Sequence, residues 1–255
     1  MEILGQAGGG EFVAFSPVHW GALAAIAGAA VILSLLLRRG ADRPGVRRGV
    51  CWGLAAVLLI GAVVAQIGRV IGGVWSLQES LPLHLCDIAV LTTAVALIGV
   101  GRRAKSNRAS QLLYELACVW GLGGTSQALL TPDVTTAAYS PDCVRYFVLH
   151  GAIVVGVLVM TFGLHMRLQP GAPVRVWLVT LALAIVVGLV DWGLGANYMY
   201  LCANPARPSL FDLLGPRPWT LLWLAVVATG LILLCYAPFW IAARVARQGS
   251  RWAAH

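Results

Sequence analysis

Apolar residues run in long blocks along this chain, without the two-residue alternation of half-buried strands. Seven blocks stand out: approximately Val18 to Leu37, Val50 to Ile71, Leu83 to Val100, Leu112 to Leu130, Val144 to Leu164, Val174 to Leu194 and Trp219 to Ala243. A helix rises about 1.5 Å per residue, so roughly 20 apolar residues cross a hydrocarbon core about 30 Å thick. Each block therefore predicts a membrane-spanning helix. The polar connections are short, which predicts one all-α, polytopic seven-transmembrane-helix bundle forming a single domain over residues 1–255.

The charged residues orient that bundle. Arg38, Arg39, Arg43, Arg47 and Arg48 follow the first block. Arg102, Arg103, Lys105 and Arg108 follow the third, Arg167 and Arg175 the fifth, and Arg244, Arg247 and Arg251 the seventh. The opposite side holds Arg145, Arg207 and Arg217, with Arg69 near a helix end. Basic residues collect on the cytoplasmic side, so the N-terminus is predicted outside and the C-terminus inside, in a multi-pass membrane protein.

Composition fits this frame. The chain has 255 residues, 59% hydrophobic and 11% charged, with a mean hydropathy of +0.82. Soluble domains have roughly 45–50% apolar and about 25% charged residues, so a soluble enzyme, a disordered chain and a disulfide-dense secreted domain are excluded. The net charge of +8 reads as topology, and no nucleic-acid partner is expected. The six cysteines are dispersed without a CxxC pair, so neither a metal site nor any other cofactor is expected. Cys143 and Cys202 fall in predicted outer loops, where an oxidising exterior permits a disulfide. MEILGQAGGGEF lacks a basic stretch followed by an apolar core and does not read as a cleaved signal peptide.

The polar residues inside the blocks carry the chemistry, because ionisable groups in hydrocarbon are costly. Gln66 and Arg69 end the second block; His84, Cys86 and Asp87 open the third; Ser126 and Gln127 end the fourth; Arg145, Tyr146 and His150 open the fifth; and Asp191, Asn197 and Tyr198 close the sixth. All fall in the predicted outer half. The inner half offers little beyond Glu115. A transporter with a midplane site spreads polar groups through both halves, whereas this asymmetry suits a one-sided cavity acting on a lipid ester near the headgroups.

In LPLHLCDIAVL, Pro82 suits a first helical turn, which predicts Cys86 about one turn into the helix. A helix start favours the thiolate. His84 and Asp87 share a face, whereas Cys86 faces elsewhere, so its base is expected from another helix. His150, at similar depth, fits. Asp191 or Asp87 would orient that histidine, and Arg69, Gln127 and Asn197 would hold an oxyanion or a phosphate. Each residue also has a plain structural reading. A buried cysteine serves as filler, a histidine joins helices, and Asp87 with Arg69 forms a structural ion pair.

Several segments together resemble a known family: LPLHLCDIAV, YELACVWGLGGTSQALLTPDV, YFVLHG and NYMYLCANPARPSLFDLLGPRPW. They are similar to bacterial YwaF-type integral membrane proteins, which belong with the eukaryotic transmembrane protein 164 family. The resemblance runs from about the second block to the start of the seventh. It implies an acyltransferase that moves a fatty acyl chain from a phospholipid to a lysophospholipid through a cysteine nucleophile and a histidine. Carried over, these are Cys86 and His150, with His84 competing for the second role. Asp191 is the third catalytic candidate, and Arg69, His84, Asp87, Gln127, Arg145 and Asn197 are the substrate-binding candidates. The alternatives are a lipid hydrolase at the same site, a transporter or lipid-binding protein, and a subunit or sensor with a structural polar network.

Overall fold

In the computed structural model the described residues are 12–40, 43–102, 107–132, 134, 136–204 and 215–252, with side chains through 246. Arg103, Lys105, Arg207 and the side chains of Arg247 and Arg251, named above for orientation, lie outside them. The described residues are helical almost throughout. Eight α-helices follow in order: α1 (Pro17–Arg39), α2 (Pro44–Ile71), α3 (Leu85–Arg102), α4 (Arg108–Val119), α5 (Ser126–Leu130), α6 (Pro141–Leu158), α7 (Ala172–Leu194) and α8 (Trp219–Trp252). A π-helical stretch, Trp120–Thr125, joins α4 to α5, and another, Val159–Gly163, extends α6. A 3₁₀ turn, Tyr198–Tyr200, follows α7.

Six helices are long and apolar enough to cross a membrane: α1, α2, α3, α6 with its π extension, α7 and α8. The predicted fourth span is helical from Arg108 to Leu130, but it is divided by the π stretch and is not one of the six. Its cause is local. In WGLGGT a Cβ on Gly121 would meet Ile153 at 3.0 Å and Val157 at 3.2 Å, so the backbone lies directly on α6. Residues 114–121 are all buried, and a buried helix tolerates Tyr114 and Glu115 where a lipid-facing one would not.

The chain gathers into two compact units. The first holds residues 1–73 and 86–166, and the second holds 74–85 and 167–255. In the first unit α6 is the axis. Close contacts at small residues fix its neighbours, the usual device where helices pack in lipid. A Cβ on Gly151 would stand 2.7 Å from Ile26 of α1, and one on Gly163 would stand 3.0 Å from Leu37. Both chains ascend together, so α1 runs parallel to α6. A Cβ on Gly61 would meet Leu149, and one on Gly68 would lie 3.9 Å from Arg145. Here one number rises as the other falls, so α2 runs antiparallel to α6. On α3, Thr93 and Leu97 face Gly156 of α6 at 2.9 and 3.2 Å by the same measure. The arginine-rich helix ends of α1, α2, α3 and α4 are those away from Cys86 and His150.

The N-terminal corner of this unit is closed by His19, which is fully buried. Its Nδ1 accepts from the Phe15 N–H at 2.8 Å, so Nε2 carries the proton and donates to the Leu129 carbonyl at 2.8 Å. Phe12, Phe15 and Phe147 pack around the ring. The first bond holds Phe15 in the left-handed region, at φ 63°. His19→Leu leaves a donor and an acceptor unpaired. We expect a loss of about 1–3 kcal/mol for each buried group, measured by thermal unfolding in detergent.

In the second unit, Gly195 at φ 64° ends α7 by donating to the Asp191 carbonyl, a left-handed cap that glycine adopts without strain. Trp177 Nε1 on α7 donates to Thr229 Oγ1 on α8 at 3.1 Å. Most of the remaining surface of these two helices is apolar and exposed, as lipid contact requires.

Candidate functional site

The first unit brings Cys86, Asp87, His150, Arg69 and Arg145 to one end. α3 starts at Leu85, three residues later than Pro82 suggests. This corrects the expected depth: Cys86 lies within the first turn, not one turn below it. PLH precedes the helix, and a proline three residues ahead of its start contributes nothing to its first turn. The Cys86 and Asp87 backbone N–H groups face the thiol, as donors at a helix start do before any intrahelical partner exists. The charges of Asp87 and Arg69 both act on Cys86. The side chain is half-buried.

His150 lies on α6, which meets α3 where Gly156 packs on Thr93 and Leu97. Counting back seven residues from Thr93 reaches Cys86, and counting back seven from its α6 neighbour Gly156 reaches Leu149. Cys86 therefore stands about 10 Å from that contact along α3, and His150 about 9 Å from it along α6. The Asp87 charge also acts on His150.

The group that orients His150 is one the sequence reading missed. His150 Nδ1 lies 2.8 Å from the Tyr146 carbonyl oxygen. A carbonyl only accepts, so Nδ1 carries the proton, and Nε2 of the neutral ring holds the lone pair. The Tyr146 ring lies 4.1 Å from the imidazole at 30°, and its hydroxyl donates to the Ala128 carbonyl at 2.7 Å. Tyrosine four residues before histidine in YFVLH is the signal: the two lie on one helix face.

Arg145 forms an ion pair with Asp142 at 2.7 Å, and both side chains are partly exposed. It crosses α2 at Gly68, next to Arg69. Gln127 lies on α5, exposed, one residue before the Ala128 carbonyl that Tyr146 grips.

The other candidates sit in the second unit, around the turn after α7. Asp191 is 1% exposed, and its Oδ1 accepts from the Tyr198 N–H at 2.9 Å. Asn197 Oδ1 accepts from the N–H groups of Cys202 and Ala203 at 3.0 and 2.9 Å, and its Nδ2 donates to the Ala203 carbonyl at 3.0 Å. Tyr198, fully buried, donates to the Leu77 carbonyl and accepts from the Leu81 N–H, both at 2.9 Å. Met199 and Tyr200 are both left-handed, at φ 54° and 55°. Arg217 donates to the Tyr200 and Leu201 carbonyls. His84 Nδ1 accepts from the Met199 N–H at 3.4 Å, with Tyr198 edge-on at 5.3 Å. This set holds a strained turn in one shape.

Away from the Cys86 end, the first unit holds a polar group that the sequence reading passed over. Tyr114, fully buried, bonds Thr161 Oγ1 at 2.9 Å and the Met166 carbonyl at 3.1 Å. Gln111 Nε2 donates to Glu115 at 3.1 Å. Arg38 Nε donates to the Phe162 carbonyl at 2.7 Å. A π stretch leaves carbonyls unpaired at a helix end, and Tyr114 and Arg38 cap that region. Cys143 lies buried in the first turn of α6, not in a loop; Cys202 is exposed, and both thiols are free. Among the described residues no cluster of His, Cys, Asp and Glu suits a metal ion.

These features define the class: an all-α polytopic membrane protein. The chain belongs to the TMEM164 family, whose pattern it matches over residues 14–236. No curated protein and no solved structure matches it.

Proposed function

We propose that this protein is a phospholipid acyltransferase working at the outer leaflet of a bacterial plasma membrane, with its N-terminus outside and its C-terminus in the cytoplasm. One observation carries the reading. Cys86 in the first turn of α3 and His150 on α6 both lie within reach of the Asp87 carboxylate, and the Tyr146 carbonyl leaves His150 Nε2 as the base. Family membership and the lipid-facing surface support a membrane lipid as substrate.

In the first half-reaction Cys86 attacks the ester carbonyl of a phospholipid while His150 Nε2 takes the thiol proton. The carbon–oxygen bond breaks, the leaving lysophospholipid oxygen receives that proton, and the acyl chain stays on sulfur as a thioester. In the second, the hydroxyl of another lysophospholipid gives its proton to Nε2 and attacks the thioester. The carbon–sulfur bond breaks and the sulfur takes the proton back. Deprotonation accompanies attack, so no standing thiolate is needed. The Cys86 and Asp87 N–H groups are the nearest donors for the developing oxyanion. Lipid chemistry on this path needs no metal and no soluble cofactor. Asp191, Asn197 and His84 shape the turn after α7, a positioning role in this reading.

The test is intact-protein mass spectrometry after incubation with diacyl phospholipid vesicles. A hydroxylamine-labile acyl adduct, mapped by peptide analysis to Cys86, is expected. Adding lysophospholipid should discharge it into new phospholipid. Discharge to free fatty acid at the same rate without lysophospholipid would make the protein a hydrolase. An adduct on another residue, or none in rapid-quench samples, would remove the thioester mechanism.

A further inference from the structure

We propose that Arg145 and Arg69 form a phosphate site at the mouth of the candidate centre, with Asp142 as a built-in counter-ion that the ligand displaces. The inference rests on the acyltransfer reading for its place in a reaction, though not for its chemistry. Three observations carry it.

First, the Arg145 side chain reaches α2 at the residue next to Arg69. Arg145 Nη1 would lie 3.9 Å from a Cβ at Gly68, so this side chain crosses α2 one residue before Arg69. Glycine at 68 leaves that crossing open. Arg69 in turn lies near enough to the Cys86 thiol for its charge to be felt there.

Second, the depth suits a headgroup. Arg69 is the third residue from the end of α2, and Arg145 is the fifth of α6. Arg145 precedes His150 by five residues, about 7.5 Å along the helix. A lipid phosphate at Arg145 therefore lies further toward the helix ends than an ester at Cys86, in the order that a glycerophospholipid presents them.

Third, the occupant now paired to Arg145 is easily exchanged. The Arg145–Asp142 pair spans three residues on one helix, and its carboxylate is 61% exposed. Solvent-exposed pairs of this kind contribute about 0–1 kcal/mol. A phosphate accepts bidentate hydrogen bonds from guanidinium and replaces Asp142 without leaving a buried charge behind, because the freed carboxylate already faces solvent.

The test uses the full chain in detergent with hexadecylphosphocholine, a phosphodiester lipid that has no ester to transfer. Cys86→Ala protein binds it as well as wild type in this scheme, so binding is read apart from chemistry. Arg145→Gln should raise its Kd tenfold or more, with partial recovery in Arg145→Lys. Asp142→Asn, which removes the competing carboxylate, should lower the Kd several-fold. Competition by inorganic phosphate would assign the site to soluble phosphate, and indifference to it would assign the site to the lipid headgroup; either supports the site. Equal Kd values in wild type, Arg145→Gln and Asp142→Asn would overturn it. If no acyl adduct forms on Cys86 while these shifts appear, the transfer reading falls and the phosphate site stands.

Discussion

Cys86→Ala protein is expected to fold, to insert and to transfer no acyl chain. The first half of that statement follows from where the residue sits. Cys86 is half-buried in the first turn of α3, one residue into the helix. Alanine is the strongest helix former, and the exchange removes one sulfur atom from the rim of the unit, not from its centre. Thermal unfolding in detergent should therefore move by no more than the small amount typical of substitutions away from the core. The second half follows from the chemistry. A thioester needs sulfur, and no other nucleophile lies in that turn: Leu85 and Ile88 are inert and Asp87 is a carboxylate. Turnover of a fluorescent phospholipid with lysophospholipid acceptor should fall to the level of protein-free vesicles. Cys86→Ser should fall nearly as far, because a hydroxyl gives up its proton far less readily than a thiol. Turnover retained in Cys86→Ala would exclude a covalent route through this residue.

Much of the fold was legible because bilayer thickness is a blunt and strong constraint. Six of the seven apolar blocks appear as continuous spanning helices, with ends displaced by a few residues, and the seventh is helical but divided. Hydropathy averages over a window, so it does not register a π stretch whose Gly121 lies against α6. The same averaging hides Tyr114 and Glu115, whose burial depends on which helices surround α4. Depth was legible only coarsely: counting from Pro82 put Cys86 one turn into a helix that in fact starts at Leu85. Rotation and register were not. They are set by contacts such as Gly156 against Thr93, which no single segment contains. For that reason the orienting group of His150 was sought among distant aspartates, although a backbone carbonyl four residues away supplies it. His19 was missed for a related reason. Its partners, Phe15 and Leu129, are backbone groups, and backbone partners leave no mark in residue type. Asp191 shows the converse. Its carboxyl stands out in a hydrophobic block, but the hydrogen bond that its Oδ1 accepts from the Tyr198 N–H is not written in residue type.

His150 offers the sharper test of mechanism, because it should separate catalysis from architecture. If Nε2 takes the thiol proton, His150→Ala should lower the rate of adduct formation by about 10²–10⁴, the usual worth of a positioned general base. His150→Gln keeps a polar side chain of similar reach but offers no basic nitrogen, and it should be as slow. Neither variant should lose substrate binding, so the hexadecylphosphocholine Kd should stay at the wild-type value. A histidine that merely ties helices together would behave differently, lowering stability and binding together. Tyr146→Phe provides the internal control. It removes the hydroxyl that grips the Ala128 carbonyl, but it keeps both the ring against the imidazole and the backbone carbonyl that fixes the Nδ1 proton. Orientation of the base comes from that carbonyl, so adduct formation should remain close to wild type while unfolding comes earlier by the worth of one hydrogen bond, about 0.5–1.5 kcal/mol. A Tyr146→Phe protein as slow as His150→Ala would place the tyrosine hydroxyl in the chemistry and remove the backbone carbonyl from its assigned role.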